Sequence, residues 1–200
     1  MDIPGAWMLL TLVVVGKNQA DLDKFDRSHL EAVGELVLFD NASKLPLSAI
    51  GNRYLNHGSA GVVGLCHADC LFHAGALDAF NAEAEKGTVC GIVGRNDGGY
   101  CWCYQNPGPV STLDSCSVFL RADLGLRFDT ELFVGFHCHV EDLCLQAKQK
   151  GILAMVPPAN ARHLGVVWQQ KVEGLGWYTD YIRYRECLAK KWSSISFVTT

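Results

Sequence analysis

The chain has 200 residues, 49% of them apolar and 19% charged, a balance that supports a sizeable core and excludes a disordered chain. Lys and Arg number 17 against 21 acids, so the net charge of −4 offers no basic stripe for coating nucleic acid. The longest apolar run, Trp7 to Val15, is too short for a membrane helix, and Asp2 gives it the wrong start for a secretory signal.

In chain order, Leu9–Val15 reads as a buried β-branched strand ending at Gly16. Leu22, Phe25, His29, Ala32 and Val33 then share a helical face closed by Gly34, and Glu35–Phe39 is a second strand ending at Asp40-Asn41. A helix over Leu47–His57 has Pro46 at its first turn and Gly58 at its end. Gly61–Cys66 is a third strand, stopped at His67-Ala68-Asp69. Leu77, Phe80 and Ala84 mark a helix ending at Gly87, followed by a fourth strand over Thr88–Val93. This rhythm predicts an α/β domain with a mainly parallel sheet and helices on both faces.

Asn96–Thr112, rich in Gly, Pro, Asn and aromatics, reads as a long functional loop. Leu113–Arg121 returns as a strand, and Leu126–Asp129 is irregular. Val140–Lys150 has the strongest helical pattern, with Glu141 and Asp142 in its first turn and Gly151 at its end. Ile152–Val156 is the last core strand, and Trp177, Tyr181, Tyr184, Leu188 and Trp192 trace a closing helix. No linker divides the chain. The closing helix is read as packing, or as the cover of an acceptor groove or of a second subunit in a homodimer.

The nine cysteines are an odd number for a fully paired disulfide framework. Most, including Cys66, Cys90, Cys116 and Cys144, sit in apolar stretches where a reduced thiol behaves as a small hydrophobe, so a reducing cytoplasm is the expected setting.

Ligands of open α/β sheets bind beyond the carboxyl ends of the strands. Asp40, the pair His67/Asp69, and His163 all fall at such ends, and Glu141 and Asp142 open a helix beside a histidine-rich turn. A carboxylate with neutral imidazoles suits a divalent ion such as Mg²⁺ or Mn²⁺.

The series Leu38-Phe39-Asp40-Asn41-Ala42-Ser43 and Leu65-Cys66-His67-Ala68-Asp69 resembles the nucleotide-sugar half of family-2 glycosyltransferases with the GT-A fold, a three-layer α/β/α sandwich. Leu113-Asp114-Ser115, Leu126-Arg127-Phe128-Asp129, Phe136-His137 and Glu141–Ala147 resemble the acceptor half. The series is most similar to the streptomycin-biosynthesis-type branch, and it covers most of one domain, divided near residues 95 and 96.

That resemblance implies a metal-dependent inverting transfer from a nucleoside-diphosphate sugar to a hydroxyl acceptor, whether glycan, lipid-linked or small molecule. It implies Asp40 and Asn41 at the nucleoside and Asp69 on the diphosphate. Mn²⁺ or Mg²⁺ would be held by Asp69 with His67 and His163, and Asp114 and His137 would face the acceptor. Asp142 would be the base, with Glu141 in reserve. His67 stands where many relatives carry Asp, and their earlier Glu-Asp is here His139-Val140. The expected enzyme is cytoplasmic, with a lipid-linked acceptor at the inner membrane face left open.

Plainer roles stand beside these. Asp40-Asn41 suits a turn, Asp69 a helix cap, Glu141 and Asp142 a helix dipole, His163 a surface loop and Asp114 a buried hydrogen-bonded acid. A GT-A-like domain that binds a nucleotide or partner without catalysis is one alternative. A zinc-stabilised domain using Cys66-His67-x-x-Cys70, Cys101-x-Cys103 and His137-Cys138-His139 is another.

Overall fold

The computed structural model describes residues 9–57, 61–135, 137–165 and 175–195, with the backbone alone for His57 and for 175–180. Trp7, Gly58, Phe136 and the side chain of Trp177 lie outside the described residues.

The strands are β1 (Leu10–Gly16), β2 (Val33–Asp40), β3 (Val62–His67), β4 (Cys70–Phe72), β5 (Val89–Cys90) and β6 (Val93–Asn96). They continue as β7 (Gly99–Trp102), β8 (Gly108–Val110), β9 (Thr112–Leu113), β10 (Ser117–Arg121), β11 (Ala154–Val156) and β12 (Ala161–His163). The helices are α1 (Gln19–Leu22), α2 (Leu47–His57), α3 (Ala76–Glu85), α4 (His139–Gln149) and α5 (Leu175–Lys191).

The main sheet has seven strands in the order β2-β1-β3-β10-β5-β11-β8. β1 is parallel to β2 and β3, β5 is parallel to β11, and β10 and β8 run antiparallel to their neighbours. The central β1 is buried along its whole length except at the half-buried Thr11, because both its faces are covered, as parallel strands require. Phe80 of α3 stacks on Phe119 of β10 at 4.6 Å between ring centroids, and Phe72 meets both rings edge-on. Two smaller sheets, β12-β4 and β7-β6-β9, hold the other strands among the described residues. α5 joins through a separate apolar cluster in which Tyr184, Leu188 and Trp192 pack with Phe133, Cys138 and Leu145.

The mainly parallel sheet agrees with the sequence expectation, and three local expectations do not hold. The helix expected across residues 22–33 is only the short α1, capped by Asn18, whose side chain accepts from Asp21 N. Beyond it the Asp26 carboxylate accepts from the backbone N and hydroxyl of Ser28, a local bond that competes with the helical ladder.

The expected loop 96–112 is largely β structure. β6 and β7 form a hairpin, and β8 closes the edge of the main sheet on β11. The expected strands 88–93 and 113–121 are each split between two sheets. Gly91 passes against the Ser117 carbonyl, 2.6 Å from where a Cβ would stand, and Asp114 turns the chain between β9 and β10. Among the described residues no helix is long and apolar enough to cross a membrane.

Candidate functional site

Parallel pairing brings the ends of three strands to one edge. Gly16 lies in register with Asp40, and Val15 with His67. Beyond β3 the chain turns through Ala68, whose N–H donates to the Val15 carbonyl, and carries Asp69 back over the edge. β12 pairs with β4, His163 opposite Cys70, and the Leu164 N–H donates to the Asp69 carbonyl. His67, Asp69 and His163 thereby present ligand atoms that all lie within 4.8 Å of one another.

His163 Nε2 stands 3.3 Å from Asp69 Oδ1, and the rings of His67 and His163 meet edge-on at 5.8 Å. Burial works against a charged His163, but the Cys116 sulfur and the Asp69 carboxylate outweigh it and hold the imidazole above its ordinary range. Burial likewise opposes ionised Asp69, and the hydrogen bond and charge of His163 reverse that, leaving the carboxyl below its usual range. His67 is pulled down to about 4, first by burial and then by His163, so it is neutral at pH 7.

His67 Nε2 is buried and has no hydrogen-bond partner. An unsatisfied imidazole nitrogen is costly, and a divalent cation would satisfy it together with Asp69 and His163. The donor set therefore fits a metal ion, whose entry would displace the His163 proton.

The turn between β9 and β10 borders this cluster. Asp114, Cys116 and His163 form a second close group, and the His67 N–H donates to the Cys116 carbonyl. Asp114 Oδ1 accepts from Cys116 N at 2.8 Å, so it shapes the turn as well as lining the site. Ser115 Oγ donates to Glu141 Oε2 at 3.0 Å, linking the start of α4 to the same turn.

Asp142 points elsewhere. It has no solvent exposure, and its Oδ1 accepts from Trp192 Nε1 at 2.7 Å and from Lys191 Nζ at 2.8 Å. Its Oδ2 accepts from Gln146 at 2.9 Å. Lys191 also bridges to Asp129, and the two carboxylates overcome the effect of burial to raise its pKa. His137 packs edge-on against Tyr181 of α5.

Asp40 sits exposed at the same sheet edge, its Oδ1 accepting from Ala42 N, whereas Asn41 is buried and spends its amide on both backbone groups of Leu45. Asn41 thus closes a loop, the plainer of its two expected roles.

Four participants were not legible as site residues: Ser115, Lys191, Trp192 and Gly165. A Cβ on Gly165 would fall 2.6 Å from His163 Nε2 and 3.2 Å from Asp69 Oδ2, so the chain needs glycine where it passes the cluster. All nine cysteines are free, eight of them buried. Among the described residues, Cys101, Cys103 and Cys138 join no group with metal-ligand spacing, which leaves the zinc-domain arrangement unassembled.

No protein-family model and no curated protein matches this chain. Among solved structures it is similar to A197 from STIV, with 13% identity over 78% of this chain and 86% of that one, at a TM-score of 0.52. At that identity the likeness is one of fold, and it places the chain among mixed α/β proteins built on a large, mainly parallel sheet.

Proposed function

We propose that this chain is a GT-A-type domain that binds a nucleoside-diphosphate sugar and transfers the sugar, with inversion, to a hydroxyl acceptor. The observation that carries the reading is the cluster of His67, Asp69 and His163 at the carboxyl edge of the sheet, where parallel α/β sheets place their ligands. These three residues would hold a divalent ion, which supplies neutralisation of the charge growing on the departing diphosphate. Two imidazoles and one carboxylate favour Mn²⁺ over Mg²⁺, which prefers oxygen donors. Asp40, exposed at the same edge, would meet the nucleoside.

Of the two acids opening α4, Glu141 is the better base. It is tied through Ser115 to the turn that borders the cluster, whereas the oxygens of Asp142 are engaged by Trp192, Lys191 and Gln146. Glu141 would take the acceptor proton as the new glycosidic bond forms. Asp142 serves as a positioning residue that fixes α4 to the end of α5.

A second reading, nucleotide binding without transfer, is favoured by one observation: Glu141 and Asp142 are only 3% and 0% exposed. Thermal-shift measurements with UDP, GDP, TDP and CMP, each with and without Mn²⁺, test the shared premise. A metal-dependent rise with one nucleotide, lost in Asp69→Ala, supports it; no response to any nucleotide overturns both readings. Sugar transfer from the matching donor, lost in Glu141→Gln, then separates the enzyme from the binding domain.

A further inference from the structure

The hairpin of β6 and β7 carries an inverted pattern of burial. Along Tyr100-Cys101-Trp102-Cys103-Tyr104 the small thiols turn inward, with Cys101 at 7% and Cys103 at 2% exposure. The large rings turn outward, Tyr100 at 47% and Tyr104 at 39%, with Trp102 half-buried between them. A strand selected for packing alone would bury the aromatics.

The three rings form a continuous row, with centroids 6.3 Å apart from Tyr100 to Trp102 and 6.0 Å from Trp102 to Tyr104. An arginine stands over each end: Arg95 is 5.1 Å from the Tyr100 ring, and Arg162 is 5.1 Å from the Tyr104 ring. A guanidinium stacked on a ring keeps its donors in its own plane, oriented for carboxylates.

Side-chain hydrogen bonds brace the backbone beneath the row. The Asn106 side chain accepts from Trp102 N and donates to the Tyr100 carbonyl, clamping the outer edge of β7. Cys103 Sγ donates to the Ala161 carbonyl, tying the row to β12. Preorganisation of this kind lowers the entropic cost of binding.

We infer that the Tyr100–Trp102–Tyr104 row with Arg95 and Arg162 is a binding platform for an acidic glycan. The indole of Trp102 covers the C–H face of a sugar ring, and the arginines receive its carboxylates. Arg162 and His163 are successive residues of β12, so the platform and the candidate metal cluster leave opposite faces of one short strand. The inference rests on the transferase reading only in making this glycan the acceptor; binding itself stands without it.

Titration calorimetry on the full chain tests it, with hexagalacturonate as probe, cellohexaose as the neutral control and an oligothymidylate as the nucleic-acid control. Hexagalacturonate is expected to bind, with at least about tenfold weakening in Trp102→Ala and in Arg162→Ala. Absence of binding, equal affinity for cellohexaose, tighter binding of oligothymidylate, or unaltered affinity in both variants overturns the inference. If Trp102→Ala loses its cooperative unfolding transition, Tyr104→Ala replaces it. Nucleotide-dependent thermal shifts in the same proteins keep the two failures apart. A sugar response without any nucleotide response sinks the transferase reading alone, and the reverse pattern sinks the platform alone.

Discussion

The indole N–H of Trp192 donates to the fully buried Asp142 at 2.7 Å, fixing the end of α5 to the first turn of α4. Lys191 supplies the counter-charge, with 26% of its side chain exposed. Removing the positive partner alone strands a buried carboxylate. Lys191→Met is therefore expected to cost about 3 kcal/mol in urea denaturation. A change below about 0.5 kcal/mol would show that the pair is energetically idle.

Asp142→Asn places an amide N–H₂ among three donors, so it should also lower stability. Protein that remains folded should still bind nucleotide with metal and retain transfer. Loss of transfer at unaltered stability would restore Asp142 as the base.

The metal cluster makes a selective prediction. Calorimetry should find Mn²⁺ bound at least about tenfold more tightly than Mg²⁺, because imidazole nitrogen is a poor Mg²⁺ donor. Asp69→Ala and His163→Ala should each abolish binding of Mn²⁺. Equal affinities for the two ions would mean that oxygen ligands dominate and that His67 is not among the donors.

Gly165→Ala should weaken Mn²⁺ binding with little change in unfolding midpoint. The new methyl would push against His163, in a half-buried segment that contributes little to the core. Unchanged metal affinity in a correctly folded variant would remove Gly165 from the site.

His139, which is not among the proposed ligands, provides a test of pH dependence. Burial, with smaller effects of His67 and His137, pushes its pKa down to about 3, and neither ring nitrogen has a hydrogen-bond partner. Between the unfolded value near 6.5 and the folded value, the unfolded chain binds the extra proton. Stability is thus present above about pH 6.5 and falls with acidification, at up to about 1.4 kcal/mol per pH unit for this group. His67 acts in the same direction down to about pH 4. His139→Leu should flatten the stability profile between pH 6 and 4 by roughly half. An unaltered slope would mean that other groups carry the acid sensitivity.

The sequence was most legible where one physical signal dominated. The β-branched run of β1 and the apolar stripe of α4 require no distant partner to be recognised. His67 and Asp69 follow from strand order, since parallel pairing carries successive strand ends to one edge. His163 arrives on β12 through its antiparallel pairing with β4 in a separate sheet, which strand order alone does not give. The hairpin at residues 93–102 was obscured because its alternation puts cysteine inside and aromatics outside, amid Gly, Pro and Asn that suit a loop. The Asp26–Ser28 turn defeated a helix whose apolar spacing was sound. Lys191, Trp192 and Gly165 acquire their roles only from tertiary placement, which residue spacing does not encode.

The placement of β10 between β3 and β5 has a consequence for biosynthesis. A nascent chain ending after β3 holds His67 and Asp69 but offers an unpaired strand edge, and it lacks His163 until nearly a hundred more residues are made. A divalent ion held as proposed would therefore find no complete donor set early in translation. Under the proposed reading, stabilisation by a bound metal would come only once β12 has docked, and until then the partly made chain depends on its apolar packing.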